Sequence, residues 1–329
     1  MSGLTNDPVE DGMRAVWLKE FGAPEVLVPA EAPDPVPGTG QVLIEVKFAN
    51  ITFIETQFRA TGAGPSAAEL PMILGNGVGG AVAAVGDGVD GDLLGRRVVA
   101  SLGGSGGYAE KAVVDEAALV PVPDELALDQ AVALLADGRT AMMLVRAAGI
   151  RTGDRVLVEA AAGGVGTLLV QLAAADGARV VGLAGGAHKI ELVREMGAEA
   201  AIDYRVDGWE QRVREAVGGV DVVFDGVGGA VGRAAFELLE RDGRMLSYGL
   251  ASGSWADISP DEAAERGVQL IQARSNPAEL RELTAQALAA AVAGRLRPLI
   301  GQRFPLDQAA AAHAAIGKRA TVGKTLLEL

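Results

Sequence analysis

Apolar and polar residues follow two alternating patterns in the second half of the chain. Short runs of Val, Leu and Ala, typical of buried strands, are separated by segments whose apolar residues recur at helical spacing. The predicted strands are residues 155–159, 179–184, 200–202, 220–225, 244–248 and 268–271. The predicted helices are residues 168–175, 189–196, 209–216, 230–239, 280–293 and 306–316. This alternation predicts an α/β fold with a doubly wound parallel sheet of the Rossmann type.

The first half has a different pattern, in which short β segments are separated by Pro and Gly turns. The predicted strands are residues 14–18, 41–51, 79–85, 96–100 and 112–114, and the end of the chain predicts another at 325–329. Residues 30–38 read as a proline-rich connection because each Pro restricts itself and the residue before it. Residues 126–135 and 140–148 read as two helices. We therefore expect a mostly antiparallel β domain before the parallel sheet.

A glycine-rich turn at residues 160–166 joins the strand at 156–158 to an apolar helical segment. Against the dinucleotide pattern G-x-G-x-x-G its positions are Ala161, Gly163 and Gly166, with alanine at the first glycine. Gly163 would let the backbone approach a pyrophosphate, Gly166 would let the helix pack on the strand, and the helix N–H groups would bind phosphate. The predicted cofactor-binding residues of the turn are Ala162, Gly163, Gly164, Val165 and Gly166. The alternative is a tight turn without a ligand.

The end of the second predicted strand indicates which nicotinamide cofactor binds. NAD-binding proteins place Asp or Glu there for the ribose hydroxyls, whereas this chain has residues 182–188 without an acid, followed by Lys189. A neutral turn and a lysine leave space and charge for a 2′-phosphate, so NADPH is favoured over NADH. A solvated lysine in a first helical turn is the alternative for Lys189.

Composition limits the remaining function classes. The chain has 329 residues, 49% of them hydrophobic, and a net charge of −14, which argues against nucleic acid or an anionic membrane as a partner. Without cysteine it has no disulfide and no four-thiolate zinc site, and a catalytic zinc would depend on His188 and His313, which are far apart. We therefore expect no metal site. Residues 1–12 are polar and acidic, unlike a signal peptide, and predict a flexible tail on a cytoplasmic protein.

Residues 13–329 resemble the medium-chain dehydrogenase/reductase superfamily, in its zinc-independent NADPH:quinone oxidoreductase branch, which is zeta-crystallin-like. The segments that carry the resemblance are residues 160–166, 197–204, 225–228 and 318–327. The resemblance implies a GroES-like catalytic domain made of residues 13–136 and 285–329, with a Rossmann cofactor domain at 137–284 inserted. It also implies a homodimer and an active site in the cleft between the domains.

The same resemblance assigns individual residues. Lys189, Tyr204 and Arg319 match the lysine, tyrosine and arginine that meet the 2′-phosphate in bacterial members. Thr140 matches a threonine near the nicotinamide. The neighbouring cofactor-binding positions are Val227, Ser247, Tyr248 and Gly249.

Several residues depart from the family pattern. Zinc-dependent relatives have Gly-His-Glu where this chain has Gly75, Asn76 and Gly77, which removes a metal ligand. Quinone reductases have an asparagine where this chain has Thr52. Enoyl reductases of the branch commonly carry a tyrosine after the following helix, and residues 58–70 contain none. The proton donor and the substrate class therefore stay open.

With no metal, hydroxyl or backbone donors must stabilise charge on the substrate oxygen, and Thr52 and Thr140 are the candidates. Glu55 is either a buried acid or an exposed helix carboxylate. Phe53, Arg59 and Trp255 are candidates for the substrate pocket. Three functions remain: hydride transfer to a quinone or an α,β-unsaturated carbonyl, a specialised reductase of enones or secondary-metabolite intermediates, and a non-catalytic NADPH-binding protein.

Overall fold

The computed structural model describes residues 12–63 and 69–329. Its strands are β1 (Gly12–Leu18), β2 (Leu27–Pro33), β3 (Gln41–Ile51), β4 (Met72–Ile73), β5 (Gly77–Val85), β6 (Arg97–Ser101), β7 (Lys111–Asp115), β8 (Leu119–Pro121), β9 (Arg155–Val158), β10 (Arg179–Ala184), β11 (Ala200–Asp203), β12 (Val220–Asp225), β13 (Leu239–Ser247), β14 (Gln269–Leu270), β15 (Ile300–Pro305) and β16 (Lys324–Glu328). Its α-helices are α1 (Phe53–Thr61), α2 (Leu128–Ala148), α3 (Gly164–Ala175), α4 (Ala187–Glu195), α5 (Trp209–Val217), α6 (Gly229–Glu237), α7 (Pro260–Arg266), α8 (Pro277–Val292) and α9 (Ala309–Gly317).

The parallel sheet has the strand order β11-β10-β9-β12-β13-β14. All five neighbouring pairs are parallel, with Val156 opposite Val180 on one side and opposite Val222 on the other. The central strand β9 is buried from Val156 to Val158, as expected for a strand covered by helices on both faces. The predicted doubly wound Rossmann sheet is confirmed. Its strand order reverses between β9 and β12, which is where such sheets bind ligands.

The remaining strands form two sheets built mostly from antiparallel pairs. The larger has the order β15-β16-β3-β5-β6-β8, with β7 also paired to β3, and the smaller has the order β2-β1-β4. Strand β16 brings the end of the chain into the larger sheet, where Leu326 lies opposite Asn50. The mostly antiparallel prediction is confirmed, and the exception is the parallel pair β15–β16. Such a sheet brings residues from both ends of the chain beside each other.

Three predictions about the elements are wrong. The two helices expected at 126–135 and 140–148 are one continuous helix, α2. Gly138 does not break it, because the missing side chain allows close packing on α8, where an added Cβ would lie 2.9 Å from the Cβ of Ala287. Residues 30–33 of the predicted connection belong to β2, which pairs along its full length with β1. Gly12, placed in the predicted tail, begins β1, and residues 1–11 of that tail lie outside the described residues.

Helix α2 packs on both parts of the molecule. Val132 and Leu128 lie close to Gly79 of the strand β5, and α2 also packs on α3. Both predicted domain limits, 136/137 and 284/285, fall inside helices, α2 and α8.

Within the described ranges, no helix combines the length and apolarity that crossing a bilayer requires.

A buried ion pair connects α2 and β16. The Lys324 ammonium donates to Asp137 Oδ1 over 2.9 Å, and the Lys324 side chain is 4% exposed. The pair joins residues from the middle and the end of the chain. Removing one partner of such a pair leaves a buried charge without compensation.

We expect Lys324→Met to lower the free energy of unfolding by about 3–5 kcal/mol, measured by urea denaturation. Adding Asp137→Asn should recover part of the loss because no buried charge then remains unpaired. The matched control is Arg303→Met, which breaks the more exposed Arg303–Asp129 pair and should cost about 1 kcal/mol or less. Equal losses from Lys324→Met and Arg303→Met would contradict a structural role specific to the buried pair.

Candidate active site

The turn between β9 and α3 is held in a tight conformation by its own backbone. Ala160 has a positive φ of 47°, and the Gly163 N–H donates to the Ala160 carbonyl over 2.8 Å. At Gly166 an added Cβ would lie 2.3 Å from the Ala160 carbonyl oxygen, so only glycine allows this approach of helix to turn. The glycine pattern therefore has the structural basis that a dinucleotide turn requires.

The first turn of α3 presents backbone donors to the cleft. The N–H groups of Val165 and Gly166 lie in the first turn of α3 and lack intrahelical partners, and the helix has no side-chain N-cap. Gly163 forms a parallel bridge with Gly323. An added Cβ at Gly163 would meet only the Ala160 carbonyl, at 3.2 Å, which leaves its outer side open. The buried Ala162 accepts a hydrogen bond from the Gly323 N–H through its carbonyl. These residues fit a pyrophosphate at the helix N-terminus.

Three cations gather at the carboxyl ends of β10 and β11. Lys189 is half-buried and donates from Nζ to the Arg319 carbonyl over 2.8 Å, and Arg319 itself donates to the Ala251 carbonyl. Burial lowers the pKa of Lys189, and the nearby charges of Arg205 and Arg319 lower it further. Cations held this close together repel one another, so a bound anion would stabilise them. The half-buried position of Lys189 does not support the solvated-lysine alternative.

Arg205 is part of this cluster and was missed from the sequence. It lies over the turn at Gly185 and Gly186 and pairs with Asp203, which also accepts from the Gly186 N–H over 2.9 Å. The Arg205 guanidinium holds the pKa of the Asp203 carboxyl well below its usual range. Arg205 directly follows Tyr204 after the third strand, and its pairing with Asp203 and its position over the turn at Gly186 depend on the folded structure. Tyr204, beside it, is half-buried and packs on the sheet.

The loops after β12 and β13 are tied to each other. Ser247 donates its hydroxyl proton to Asp225 Oδ2 over 2.8 Å, and Tyr248 donates to the Glu159 carbonyl over 3.3 Å. Burial raises the pKa of Tyr248. The Val227 carbonyl accepts from the Ser252 N–H, and the Gly249 N–H donates to the Asp225 carbonyl. Because these polar groups are used inside the protein, the four predicted residues here would contribute shape to a cofactor site.

A buried pair of carboxyl groups, also missed from the sequence, supports these loops. Glu159 ends the central strand region and Asp225 ends β12, and both are fully buried. The Val227 N–H donates to Glu159 Oε2 over 3.0 Å, and the Gly228 N–H donates to Asp225 Oδ1 over 2.6 Å. Burial and the neighbouring Asp225 charge raise the pKa of Glu159 well above its ordinary value. The sequence signal that could have identified this pair is an acidic residue at the end of each apolar strand.

Thr52 and Glu55 form the N-terminal capping box of α1. Thr52 Oγ1 donates to Glu55 Oε2 over 2.9 Å, and the Asn76 N–H donates to Glu55 Oε1 over 2.8 Å. Glu55 is buried, so the exposed-carboxylate alternative is wrong, and burial raises the pKa of Glu55. Its contacts fix the segment around Asn76 relative to the helix.

The hydroxyl protons of both predicted threonine donors are already used. Thr52 donates to Glu55, and Thr140 donates to the Ala136 carbonyl of its own helix over 2.7 Å. A threonine hydroxyl has one proton to donate. In this geometry, donation from either residue to a substrate oxygen would require one of these hydrogen bonds to break.

The three predicted pocket residues have different surroundings. Arg59 is buried and donates to the carbonyls of Gly22 and Thr56, which occupies its guanidinium inside the protein. Phe53 is half-buried at the first position of α1. Trp255 is 53% exposed in the loop after β13. The contacts of Arg59 therefore do not favour a substrate role.

Arg139 is a further cation at this site that the sequence analysis did not identify. It precedes Thr140 on α2, and its Nη1 donates to the Ser101 hydroxyl over 2.8 Å. Ser101 ends β6 opposite Gly77, which follows Asn76. The sequence signal that could have identified Arg139 is its position next to the predicted nicotinamide threonine, Thr140.

The donor sets do not favour a metal. Across residues 12–63 and 69–329, no group of three or more His, Cys, Asp or Glu side chains could hold a metal ion. His313 is buried and its Nε2 lies 2.9 Å from the Tyr108 hydroxyl, while burial lowers the pKa of His313 to about 3. His188 is exposed on α4. The two histidines thus lie in separate environments.

Comparison with known proteins agrees with this architecture. Residues 38–124 match the family model described as alcohol dehydrogenase GroES-like domain, and residues 164–290 match that described as zinc-binding dehydrogenase. The chain is 32% identical to a quinone oxidoreductase of Pseudomonas aeruginosa over 95% of this chain and 99% of the relative. It is 33% identical to a 2-haloacrylate reductase of Burkholderia, over 95% and 98%.

A solved structure shows the same fold. The Escherichia coli quinone oxidoreductase complexed with NADPH superimposes with a TM-score of 0.89 at 29% identity, over 96% of this chain and 100% of that chain. The chain therefore belongs to the medium-chain dehydrogenase/reductase superfamily, in its quinone oxidoreductase branch.

Proposed function

We propose that this protein is an NADPH-dependent, zinc-independent oxidoreductase that transfers hydride to a quinone or to an α,β-unsaturated carbonyl compound. The observation that carries the proposal is the group of cations formed by Lys189, Arg205 and Arg319, beside a glycine turn with free backbone donors. The names of the relatives, quinone oxidoreductase and 2-haloacrylate reductase, and an NADPH complex of similar fold, support it.

Different residues of the chain bind the pyrophosphate and the 2′-phosphate of the cofactor. The turn from Gly163 to Gly166 receives the pyrophosphate, and the three cations, with Tyr204, receive the 2′-phosphate. The loops that contain Val227 and Ser247 to Gly249 shape the floor of the cleft. When bound, NADPH supplies a hydride and leaves as NADP⁺. Residues 137–284 then form the cofactor domain, and residues 13–136 with 285–329 form the catalytic domain.

We assign Glu55 to positioning rather than to proton transfer. Both of its carboxyl oxygens accept hydrogen bonds from backbone N–H groups, those of Thr52 and Asn76. These bonds would be weakened if the carboxyl served as a shuttling acid. Water is therefore the proposed proton source. Zinc independence rests on Asn76 and Gly77 in place of ligands and on the lack of cysteine.

The proposal includes a cytoplasmic homodimer. Strand β14 is an edge of the parallel sheet, and Leu270 in it is 39% exposed. An unpaired edge with an exposed apolar residue favours pairing with a second chain. Two copies joined by a twofold axis at β14 would extend both sheets.

The function itself is tested by following NADPH and NADH oxidation against a panel of quinones and activated enones. We expect oxidation with strong preference for NADPH, because a 2′-phosphate would reduce the repulsion that Lys189 experiences from Arg205 and Arg319. Tight NADPH binding without oxidation by any acceptor would instead support the non-catalytic alternative. A preference for NADH would contradict the assignment of the phosphate site.

Lys189→Ala should weaken NADPH binding about 10- to 100-fold, the loss of a hydrogen bond between charged groups, while NADH binding stays within a few-fold. Fluorescence titration of the reduced nicotinamide measures both constants. The matched control is Arg194→Ala, which removes the same charge from an exposed position on α4. If Arg194→Ala weakens NADPH binding equally, overall charge rather than a specific contact is responsible.

Leu270→Lys should shift the protein from dimer to monomer in light scattering, because it places like charges at the twofold edge. Val36→Lys is the control, since Val36 is an exposed apolar residue of the other part of the chain. A wild-type monomer, or a Leu270→Lys dimer as stable as wild type, would refute pairing through β14.

A further inference from the structure

We propose that Arg139 binds the carboxylate of an anionic substrate, an acrylate-type α,β-unsaturated acid, in the cleft beside Thr140. The inference rests on the proposed function, since it names the substrate class of the same hydride-transfer site. It rests on three observations: a cation without a counter-ion, its position on α2, and unpartnered polar atoms on the neighbouring strands.

Arg139 is a desolvated cation without a carboxylate partner in the described part of the chain. Its recorded hydrogen bond is to the neutral Ser101 hydroxyl, and burial lowers the pKa of Arg139. The acid on the same helix, Asp137, is already bound by Lys324. An arginine keeps its charge in proteins, so this charge is held in a partly buried place, where the Asp137 charge, shared with Lys324, compensates it in part.

Other partly buried arginines of this chain have carboxylate or carbonyl partners, although Nε of Arg59 and Nε of Arg244 are buried without one. Arg155 pairs with Asp221 and Arg244 pairs with Asp154, each with a side chain a quarter exposed or less. Arg59, which has no recorded ion pair, donates to two backbone carbonyls instead. Arg139 donates to one hydroxyl, and none of its nitrogens is buried without a partner, so its other N–H donors are accessible to a ligand. An anionic ligand would supply a counter-charge and acceptors for these donors.

The position of Arg139 follows from the spacing along α2. Leu128 and Val132 lie on the helix face that packs on Gly79 of β5. Arg139, seven residues after Val132, returns to that face two turns further along, about 10 Å away. Its guanidinium therefore reaches Ser101 at the end of β6.

The opposite face of the same helical turn is directed to the cofactor side. A Cβ added at Gly164, in the first turn of α3, would lie 1.9 Å from Asp137 Oδ2. Arg139 is two residues from Asp137 and adjacent to Thr140, the predicted nicotinamide neighbour. Arg139 thus lies in the part of α2 that contacts both the β sheet and the dinucleotide turn, with its guanidinium on the β-sheet side.

The strand ends next to Ser101 carry polar atoms without partners. Asn50 is 1% exposed, and neither its Oδ1 nor its Nδ2 has a hydrogen-bond partner in the described residues; Asn76 Oδ1 is also buried and unpartnered. Gly77, opposite Ser101, leaves space that the Asn50 amide fills, since an added Cβ would lie 2.6 Å from Asn50 Nδ2. Buried unpartnered donors and acceptors are costly, and an ordered water or a polar ligand at this place would satisfy them.

A carboxylate suits these groups better than a quinone oxygen. The planar guanidinium fork binds both carboxylate oxygens, and only an anion neutralises its charge. In the reaction, hydride adds to the β-carbon, the electron pair of the C=C bond moves towards the carboxylate, and the α-carbon takes a proton from water. Negative charge on the carboxylate increases in the transition state, so Arg139 binds the transition state more strongly than the substrate.

The test compares 2-chloroacrylate with its neutral methyl ester as acceptors for NADPH oxidation. Arg139→Leu should lower kcat/KM for the acid by about 10- to 100-fold, the effect of losing hydrogen bonds to a charged group, and should change kcat/KM for the ester by less than about threefold. Arg139→Lys, which keeps the charge but not the fork, should retain an intermediate preference. The control Arg146→Leu removes an exposed arginine from the same helix and should leave both values unchanged. Unchanged NADPH affinity shows that each variant is folded.

Equal losses for acid and ester, or no loss for the acid, would overturn the assignment of Arg139. Wild-type oxidation of NADPH by a quinone but not by the acid would refute the inference and leave the proposed function intact. If no acceptor is reduced, calorimetric titration of the NADPH-loaded protein with 2-chloropropionate decides. Binding that Arg139→Leu abolishes supports the anion site, and absence of binding to wild type refutes it.

Discussion

The buried pair of Asp137 and Lys324 is the contact on which the geometry of the cleft depends. It places the middle of α2 against the start of β16, and the carboxylate fills the space that any side chain at Gly164 would need. Gly323, the residue before Lys324, also contacts the dinucleotide turn, because its N–H donates to the Ala162 carbonyl. A few residues earlier in the chain, the Arg319 carbonyl accepts a hydrogen bond from Lys189 Nζ. One ion pair thereby fixes the last segment of the chain along the whole phosphate side of the site.

Buried carboxyl groups near the site accept hydrogen bonds from backbone N–H groups, and these contacts show what each group does. Glu55 is held by two backbone N–H groups and a hydroxyl, which makes it a structural cap. Glu159 and Asp225 accept from the backbone of the loop that follows β12, and the raised pKa of Glu159 reduces the repulsion between them. Arg139 departs from this pattern, because a hydroxyl is the partner recorded for its charge. Arg139 is adjacent in sequence to Thr140, the predicted neighbour of the nicotinamide.

Local pattern was sufficient for much of the fold. Strands such as β10 and β12 were predicted to their end residues, since a short apolar run between helical segments has few alternative structures. The turn at Gly163 and Gly166 was predicted because its glycines meet a local backbone requirement. The break expected near Gly138 was wrong since the reason for that glycine lies on α8, at Ala287, far along the chain. Strand β2 was missed because its proline and polar residues suit an edge strand as well as a connection.

The site was less predictable since its decisive contacts join distant residues. Periodicity and motif spacing contain no information that Lys324 pairs with Asp137, or that Glu55 is buried under Asn76. The threonines were chosen as donors for their residue type, and the structure shows that the available protons of Thr52 and Thr140 are engaged. A metal-free reductase still needs a positive partner for the charge that hydride transfer creates. The Arg139 guanidinium can be that partner and keep its hydrogen bond to Ser101, because a guanidinium has five N–H donors. The same physical requirement that the sequence analysis assigned to hydroxyl groups is therefore better met by the cation one residue before Thr140.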